Sequence, residues 1–488
     1  MNHSIIRFIL GHVLKIEALL MLLPCVTAVI YKEKEGICFV LVAFLCFLLG
    51  TAMTWKKPDN TVFYLKEGCV ATSLSWIFLS FFGALPFWID KEIPKFEDAL
   101  FETISGFTTT GATILSDVEA LSHCSLMWRS FTHWIGGMGV LVFLLAIIPL
   151  SGGSNINLMR AESPGPSVGK LVPKVKYTAR ILYMIYLGMT IGELILLLLG
   201  RMPLFDALAT AFGTAGTGGF GIKNDSISGY SPYIQWVVTI FMLLFAVNFN
   251  AFFFLLYRDF KKAFTMEEVR YFFLIVLIAI AITFCNILPM YDGVFDALTH
   301  SSFQVASLIS STGYSTADFN LWPQTSQTIL VILMFIGACA GSTGGGIKVS
   351  RFVIAFKTVI KEINTYLHPK GVEKIKMEGK PVEHEVVRSI NTYLITFFVI
   401  FALSVFAISF EGKDLVTNFT AVTTTLNNMG PGLSMVGPTE NFGHFTPFSK
   451  AVFMFDMLAG RLELFPLLIL FHPAVWKVKL PKKERAGL

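Results

Sequence analysis

Phe96-Glu97-Asp98-Ala99-Leu100 opens an apolar stretch that closes on Thr108-Thr109-Thr110-Gly111-Ala112. The same two-part phrase returns along the chain. Phe205-Asp206-Ala207-Leu208 leads to Thr217-Gly218-Gly219-Phe220, and Phe295-Asp296-Ala297-Leu298 leads to Ser311-Thr312-Gly313-Tyr314. A reduced opening, Asp414-Leu415, leads to Asn427-Asn428-Met429-Gly430-Pro431-Gly432. Ser105 and Ser307 stand at matching places before the first and third turns. An Asp at the start of a short helix is expected to cap its free N–H groups and to complement its dipole. Each stretch is shorter than the roughly 20 residues that a membrane-crossing helix needs, and suits a re-entrant segment. Irregular backbone at membrane depth survives only inside protein or beside a water-filled cavity. One such Gly reads as helix packing; four equivalent Gly turns read as one pore lined by four repeats.

The rest of the chain supplies the membrane. Of 488 residues, 54% are hydrophobic and only 15% are charged, where soluble domains carry about 25% charge. Mean hydropathy is +0.66. Disorder, a coiled coil and a disulfide scaffold are excluded. The seven cysteines are scattered and lack any C-x-x-C pair, so they read as small apolar packers. Spans are expected at 8–30, 36–54, 70–89, 128–150, 177–200, 233–257, 271–290, 326–357, 387–410 and 449–472. The first is retained, because Lys15 and Glu17 interrupt it and no cleavage site follows. The expected fold is therefore an all-α integral membrane protein with about ten spans: four pseudo-symmetric helix–pore helix–helix repeats around one pore, preceded by two transmembrane helices. The divisions are an N-terminal hairpin (1–60), pore repeats at 61–152, 170–260, 265–362 and 385–476, and a tail at 477–488.

Basic residues cluster in alternate connections, among them Lys56, Lys57, Lys66, Arg160, Lys170, Lys174, Lys261, Lys262, Lys370 and Lys374, and in the tail. The opposite connections carry acids. By the positive-inside rule both termini face the cytoplasm. The net charge of +5 belongs to those loops and does not point to nucleic acid. The basic loop at 361–380 suits anionic membrane lipid or a protein partner.

The four turns suit a monovalent cation. A dehydrated K⁺ is matched by backbone carbonyls, and Gly permits the dihedrals that aim them. Divalent selectivity would call for carboxylates at the turns, and none lies within the four turns. A solute carrier built on inverted repeats should show two interrupted halves, where this chain shows four parallel units. A membrane-embedded enzyme would need convergent acids, bases or ligands, and the sequence offers no such set. No catalytic residue and no organic cofactor are expected.

These features resemble the TrkH/KtrB/HKT superfamily of K⁺ transporters, in its TrkH branch, across nearly the whole chain. The resemblance rests on 105–113 (SGFTTTGAT), 133–139 (HWIGGMG), 337–348 (GACAGSTGGGIK), 427–432 (NNMGPG) and 460–463 (GRLE), together with His368-Pro369-Lys370 and the two extra N-terminal spans. It implies K⁺ uptake through the inner membrane of a bacterium, by a channel or a symporter, in a homodimer regulated by a cytoplasmic nucleotide-binding TrkA-type ring. It places the selectivity filter at Thr109, Thr110, Gly111, Ser311, Thr312, Gly313, Asn428, Met429 and Gly430. In the second turn it places the filter glycine at Gly219, with the extra glycine, Gly218, as the alternative. Plant relatives that pass mainly Na⁺ carry Ser at the first filter position, where this chain has Gly111.

Two further features concern a gate. Gly341-Ser342-Thr343-Gly344-Gly345-Gly346 interrupts an apolar run. Each Gly costs a helix about 1 kcal/mol relative to Ala, so a break is expected; the resemblance makes it a loop beneath the filter. It is not a phosphate-binding loop, since Ile347 separates Gly346 from Lys348. Arg461 lies inside the expected last span, where a charge must face a cavity or a partner. The resemblance puts it in the pore near the loop; a structural tie to Asp456 or to a carbonyl is the alternative.

Overall fold

The computed structural model describes residues 1–58, 64–139, 175–369, 371 and 374–476. Arg160, Lys170, Lys174, Lys370, the tail and the second half of the span expected at 128–150 lie outside the described residues.

Helices α1 (His3–Leu20) and α2 (Leu22–Tyr31) form one span that returns through α3 (Gly36–Thr54). Gly11 and Gly50 let α1 and α3 meet backbone to backbone: a methyl group on Gly50 would lie 2.6 Å from the Gly11 carbonyl oxygen. Small residues are how helices approach where lipid supplies no hydrophobic drive. The outer face of α3 exposes Phe44, Phe47 and Leu48, as a lipid-facing helix must.

Four units follow. The first has α4 (Leu65–Ile89), short α5 (Phe96–Phe107) and α6 (His123–Gly137). The second has α7 (Val175–Leu199), short α8 (Leu204–Gly216), α9 (Pro232–Ala246) and α10 (Phe249–Leu256). A small helix α11 (Phe260–Thr265) leads to the third, with α12 (Glu267–Ile287), short α13 (Val294–Ile309), α14 (Gln324–Ile336) and α15 (Val349–Leu367). After a two-stranded hairpin, β1 (Lys376–Met377) against β2 (Lys380–Pro381), come α16 (His384–Ser409), short α17 (Leu415–Leu426), α18 (Pro447–Arg461), α19 (Phe465–Leu468) and α20 (Pro473–Trp476). Among the described residues the chain is all-α apart from that hairpin. Its units close into a circle. One apolar core joins the N-terminal helices and the first unit to the fourth, through Phe107, Trp128 and Phe453. Another joins the third unit to the end of the second and to Met429.

Among the described residues six helices are long and apolar enough to cross a membrane. Three expected spans are not continuous helices. The run at 233–257 is broken at Val247–Asn248 and bent by 95°, although neither Gly nor Pro stands there. The run at 326–357 is split by the glycine loop, as expected. The run at 449–472 stops after Arg461, because Glu463 and Leu464 take φ of 56° and 67°, so Arg461 ends a helix and is not mid-span.

The expected capping by Asp is also corrected. Only Asp414 is an N-cap, accepting from the Thr417 N–H at 3.0 Å. Asp98, Asp206 and Asp296 lie inside the first turn of their helices, which start after Lys95, Pro203 and Gly293. There they still face the positive end of the dipole, but two of them have other partners: Asp98 pairs with Lys450 at 2.6 Å and Asp206 accepts from the Tyr230 hydroxyl at 2.7 Å.

Candidate functional site

Each short helix ends in the same backbone figure. Thr109, Thr217, Ser311 and Asn428 adopt left-handed φ of 56°, 54°, 61° and 53°. The next residue donates its N–H five residues back: Thr110 to Ser105 (2.9 Å), Gly218 to Gly213 (2.9 Å), Thr312 to Ser307 (2.9 Å) and Met429 to Thr424 (2.8 Å). This is the closing bond of a helix that terminates in a left-handed residue. One residue further come Gly111, Gly219, Gly313 and Gly430. The first three have φ of 79°, 73° and 89°, which only Gly takes without strain. The figure fixes the register of the second turn: Gly219 is the counterpart of Gly111, and Gly218 that of Thr110.

The four glycines line one cavity of about 160 Å³. Neighbouring turns meet around it. A methyl group on Gly111 would overlap the Gly218 carbonyl oxygen, and one on Gly219 would overlap that of Thr312. On Gly313 it would lie 3.0 Å from Pro431, and on Gly430 it would lie 3.0 Å from the Gly111 carbonyl oxygen. The contacts run first to second, second to third, third to fourth and fourth to first. The turns therefore form a closed ring that includes backbone carbonyls, with no room for a side chain at Gly111 or Gly219 and a tight fit at Gly313 and Gly430.

Buried polar groups brace this ring. His133 Nε2 accepts from the Phe220 N–H at 3.2 Å, which puts its proton on Nδ1, where it donates to the Gly106 carbonyl at 2.8 Å. One imidazole thus ties the first turn to the second. Arg129 and Glu102 pair at 2.6 Å; Arg129 also donates to the Gly221 carbonyl, while Glu102 accepts from the Ile114 N–H at 3.0 Å. This buried pair holds the chain on the far side of both turns. Asn428 Nδ2 donates to the Thr110 hydroxyl (3.1 Å) and the Met457 carbonyl (2.8 Å), joining the fourth turn to the first.

The segment 337–348 packs against the ring. The Gly345 N–H donates to the Ser311 hydroxyl and the Gly346 N–H to the Asn427 carbonyl at 2.9 Å. Cys339 N–H and Thr343 N–H fill the carbonyls of Ala246 and Phe245, which the break after α9 leaves open. The α9 break and the glycine loop thus satisfy each other, as backbone buried at membrane depth requires. Lys348, buried with φ of 86°, places its ammonium on the Gly344 carbonyl. Arg461 donates to the Thr343 carbonyl at 3.0 Å and to the carbonyls of Gly136 and Gly137. Asp456, the expected alternative partner, accepts instead from the Ser404 hydroxyl at 2.8 Å, and Glu463 pairs with Arg351.

The sequence profile of TrkH, described as a cation transport protein, matches residues 36–478. The chain belongs to the TrkH family. It is 36% identical over 468 residues to the Trk system potassium uptake protein TrkH of Salmonella typhimurium, covering 94% of this chain and 96% of that protein. It is also 36% identical over 490 residues to TrkG of Escherichia coli K12, covering 98% and 100%. The crystal structure of the potassium transporter TrkH from Vibrio parahaemolyticus superposes with a TM-score of 0.87 at 31% identity, covering 98% of this chain and all of that one. The TrkH family consists of transport proteins, so the chain is a membrane transporter and not an enzyme.

The TrkH-like ring gathers Thr109, Thr110, Gly111, Gly218, Gly219, Ser311, Thr312, Gly313, Asn428, Met429 and Gly430. The loop gathers Gly341, Ser342, Thr343, Gly344, Gly345 and Gly346, with Arg461 against it. Sequence reasoning placed Thr217 in the second turn but left it out of the filter, although it is the left-handed member of that turn. It also passed over Glu268 and Asn248, whose partners are distant in sequence. Among the described residues no group of His, Cys, Asp or Glu is arranged to hold a metal ion.

Proposed function

We propose that this chain is the pore-forming subunit of a bacterial potassium uptake system, with K⁺ as its substrate. The observation that carries the reading is the closed ring of four equivalent glycine turns. In it the carbonyls at 109–111, 218–219, 311–313 and 428–430 replace the water around a dehydrated K⁺ and select it over Na⁺. The N-terminal hairpin and the four repeats are the working units, and the acids at the starts of the short helices draw cations to the outer mouth. The loop at 341–346 is the gate. Arg461 sets a barrier beside it: its guanidinium discourages a cation from resting there and tethers the loop to the end of α6. Relatives named as Trk system potassium uptake proteins, and full-length likeness to a potassium transporter, support the same reading.

In this reading the protein sits in the inner membrane with both termini in the cytoplasm, works as a homodimer, and is opened and closed by a TrkA-type nucleotide-binding ring on its cytoplasmic face. The test is cation flux from proteoliposomes under K⁺, Rb⁺, Na⁺ and Li⁺ gradients, with and without the ring and nucleotide. Flux of K⁺ and Rb⁺ above Na⁺ and Li⁺ is expected. Equal flux for all four would sink the selectivity claim, and silence in every condition would favour a solute carrier.

A further inference from the structure

Two consecutive glutamates in the first turn of α12 look in different directions. Glu268 is buried and its Oε1 accepts from two backbone N–H groups, those of Ala340 at 2.7 Å and Ser350 at 3.1 Å. The first lies immediately before the glycine loop, in the 337–348 segment that carries it. The second belongs to the first turn of α15, whose own N-cap position is Lys348 and supplies no side-chain cap. Glu268 therefore grips both ends of the segment that runs under the ring. Its other oxygen accepts from Asn248 Nδ2 at 3.4 Å, at the break between α9 and α10.

Glu267 turns the other way. Its N–H donates to Glu378 Oε1 at 2.9 Å, and the Glu378 N–H donates back to Glu267 Oε2 at 3.1 Å. Glu378 sits at the turn of the β-hairpin. Lys357, on α15, pairs with Glu267 and donates to the Lys376 carbonyl of the hairpin at 2.8 Å. One turn of helix is thus bonded on one side to an exposed hairpin and on the other to the loop beneath the ring.

We propose that Glu268 is the positioning residue that holds the glycine loop in place, and that Glu267 couples the same turn to the 376–381 hairpin, so that displacing the hairpin loosens the loop. The inference rests on the reading of that loop as the gate. A carboxylate receiving two N–H bonds is a strong anchor, and both bonds go at once when α12 shifts. The hairpin is exposed at Lys376, Glu378, Gly379 and Lys380, where a partner can reach it.

The experiment measures K⁺ flux, the K⁺/Na⁺ ratio and amide hydrogen exchange on the full-length protein in liposomes. Glu268→Ala is expected to raise flux about tenfold, the shift that losing a charge-assisted hydrogen bond brings, with the K⁺/Na⁺ ratio unchanged and exchange at Ala340 and Ser350 accelerated. Glu268→Gln keeps an acceptor oxygen and is expected to restore most of the restraint. Glu378→Ala, which leaves the buried anchor intact, is expected to raise exchange at 338–350 by a smaller factor. A folded Glu268→Ala with wild-type flux overturns the inference if deletion of Gly344–Gly346 leaks. If the deletion also has wild-type flux, the gate reading falls and the inference with it. Should Glu268→Ala fail to fold, unchanged exchange at 338–350 in Glu378→Ala overturns the coupling.

Discussion

The ring of turns and the loop beneath it are both rich in glycine, yet they are held in opposite ways. Each turn is closed by bonds to its own short helix, from Thr110 to Ser105 and from Thr312 to Ser307, and needs Gly where φ is left-handed or a neighbouring turn crowds Cβ. The loop makes few bonds to itself. Its N–H and C=O groups are met by Phe245, Ala246, Ser311, Asn427, Glu268 and Arg461, from five other segments. Glycine in the first region serves a fixed shape; in the second it lets the chain follow whatever surrounds it. A region whose bonds are local keeps its shape when its neighbours move, whereas one whose bonds are borrowed opens when they do. That contrast predicts that variants of the ring change which ion passes and variants of the loop change how much.

The largest effect should come from Gly111→Ser. A Cβ there meets the Gly218 carbonyl, and φ of 79° adds strain on the order of 1–3 kcal/mol, so the turn must move. Bi-ionic permeability should shift toward equal K⁺ and Na⁺; an unchanged ratio in a folded variant would remove Gly111 from the filter. Deleting Gly344–Gly346 comes next. It removes the bonds to Ser311 and Asn427 and should raise flux strongly while the K⁺/Na⁺ ratio holds. Unaltered flux would mean that the loop does not obstruct the pathway.

Arg461 tests the boundary between the two regions, since its guanidinium joins the Thr343 carbonyl of the loop to the end of α6. Arg461→Ala loses bonds worth about 1.5–3 kcal/mol each and the positive charge with them. Flux should rise, with a lower melting temperature. Arg461→Lys keeps the charge but not the planar fork, and its flux should fall between those of Ala and Arg. Wild-type flux in Arg461→Ala would leave only the structural role.

How far the sequence could see follows the same division. The spans at 36–54, 177–200 and 387–410 were legible because an unbroken apolar run has one solution in lipid. The four turns were legible because their phrase repeats, and the choice of Gly219 over Gly218 agrees with the left-handed Thr217 that precedes them. The break at Val247–Asn248 was not read from the sequence: its one local signal is Asn248, which caps α10 by accepting from the Asn250 N–H at 3.0 Å, and loop N–H groups take over the carbonyls of Phe245 and Ala246. Asp98 looked like a cap because caps are local, but Lys450, far along the chain, claims it. Glu268 had no signal at all, being one glutamate at a helix start until Ala340 and Ser350 are brought to it.

Ser311 belongs to both regions and gives the smallest and most discriminating test. Its backbone is the left-handed member of the third turn, and its hydroxyl accepts from the Gly345 N–H of the loop. Ser311→Ala keeps a Cβ, so the strain at φ of 61° is the same before and after, and the Thr312 to Ser307 bond that closes the turn is untouched. What disappears is one neutral hydrogen bond to the loop, worth about 1 kcal/mol, or roughly a fivefold shift in an equilibrium. Flux should therefore rise by no more than that factor with the K⁺/Na⁺ ratio held. A changed ratio at constant flux would place the Ser311 hydroxyl in the service of the ring, and would mean that the ring borrows part of its shape from the loop below it.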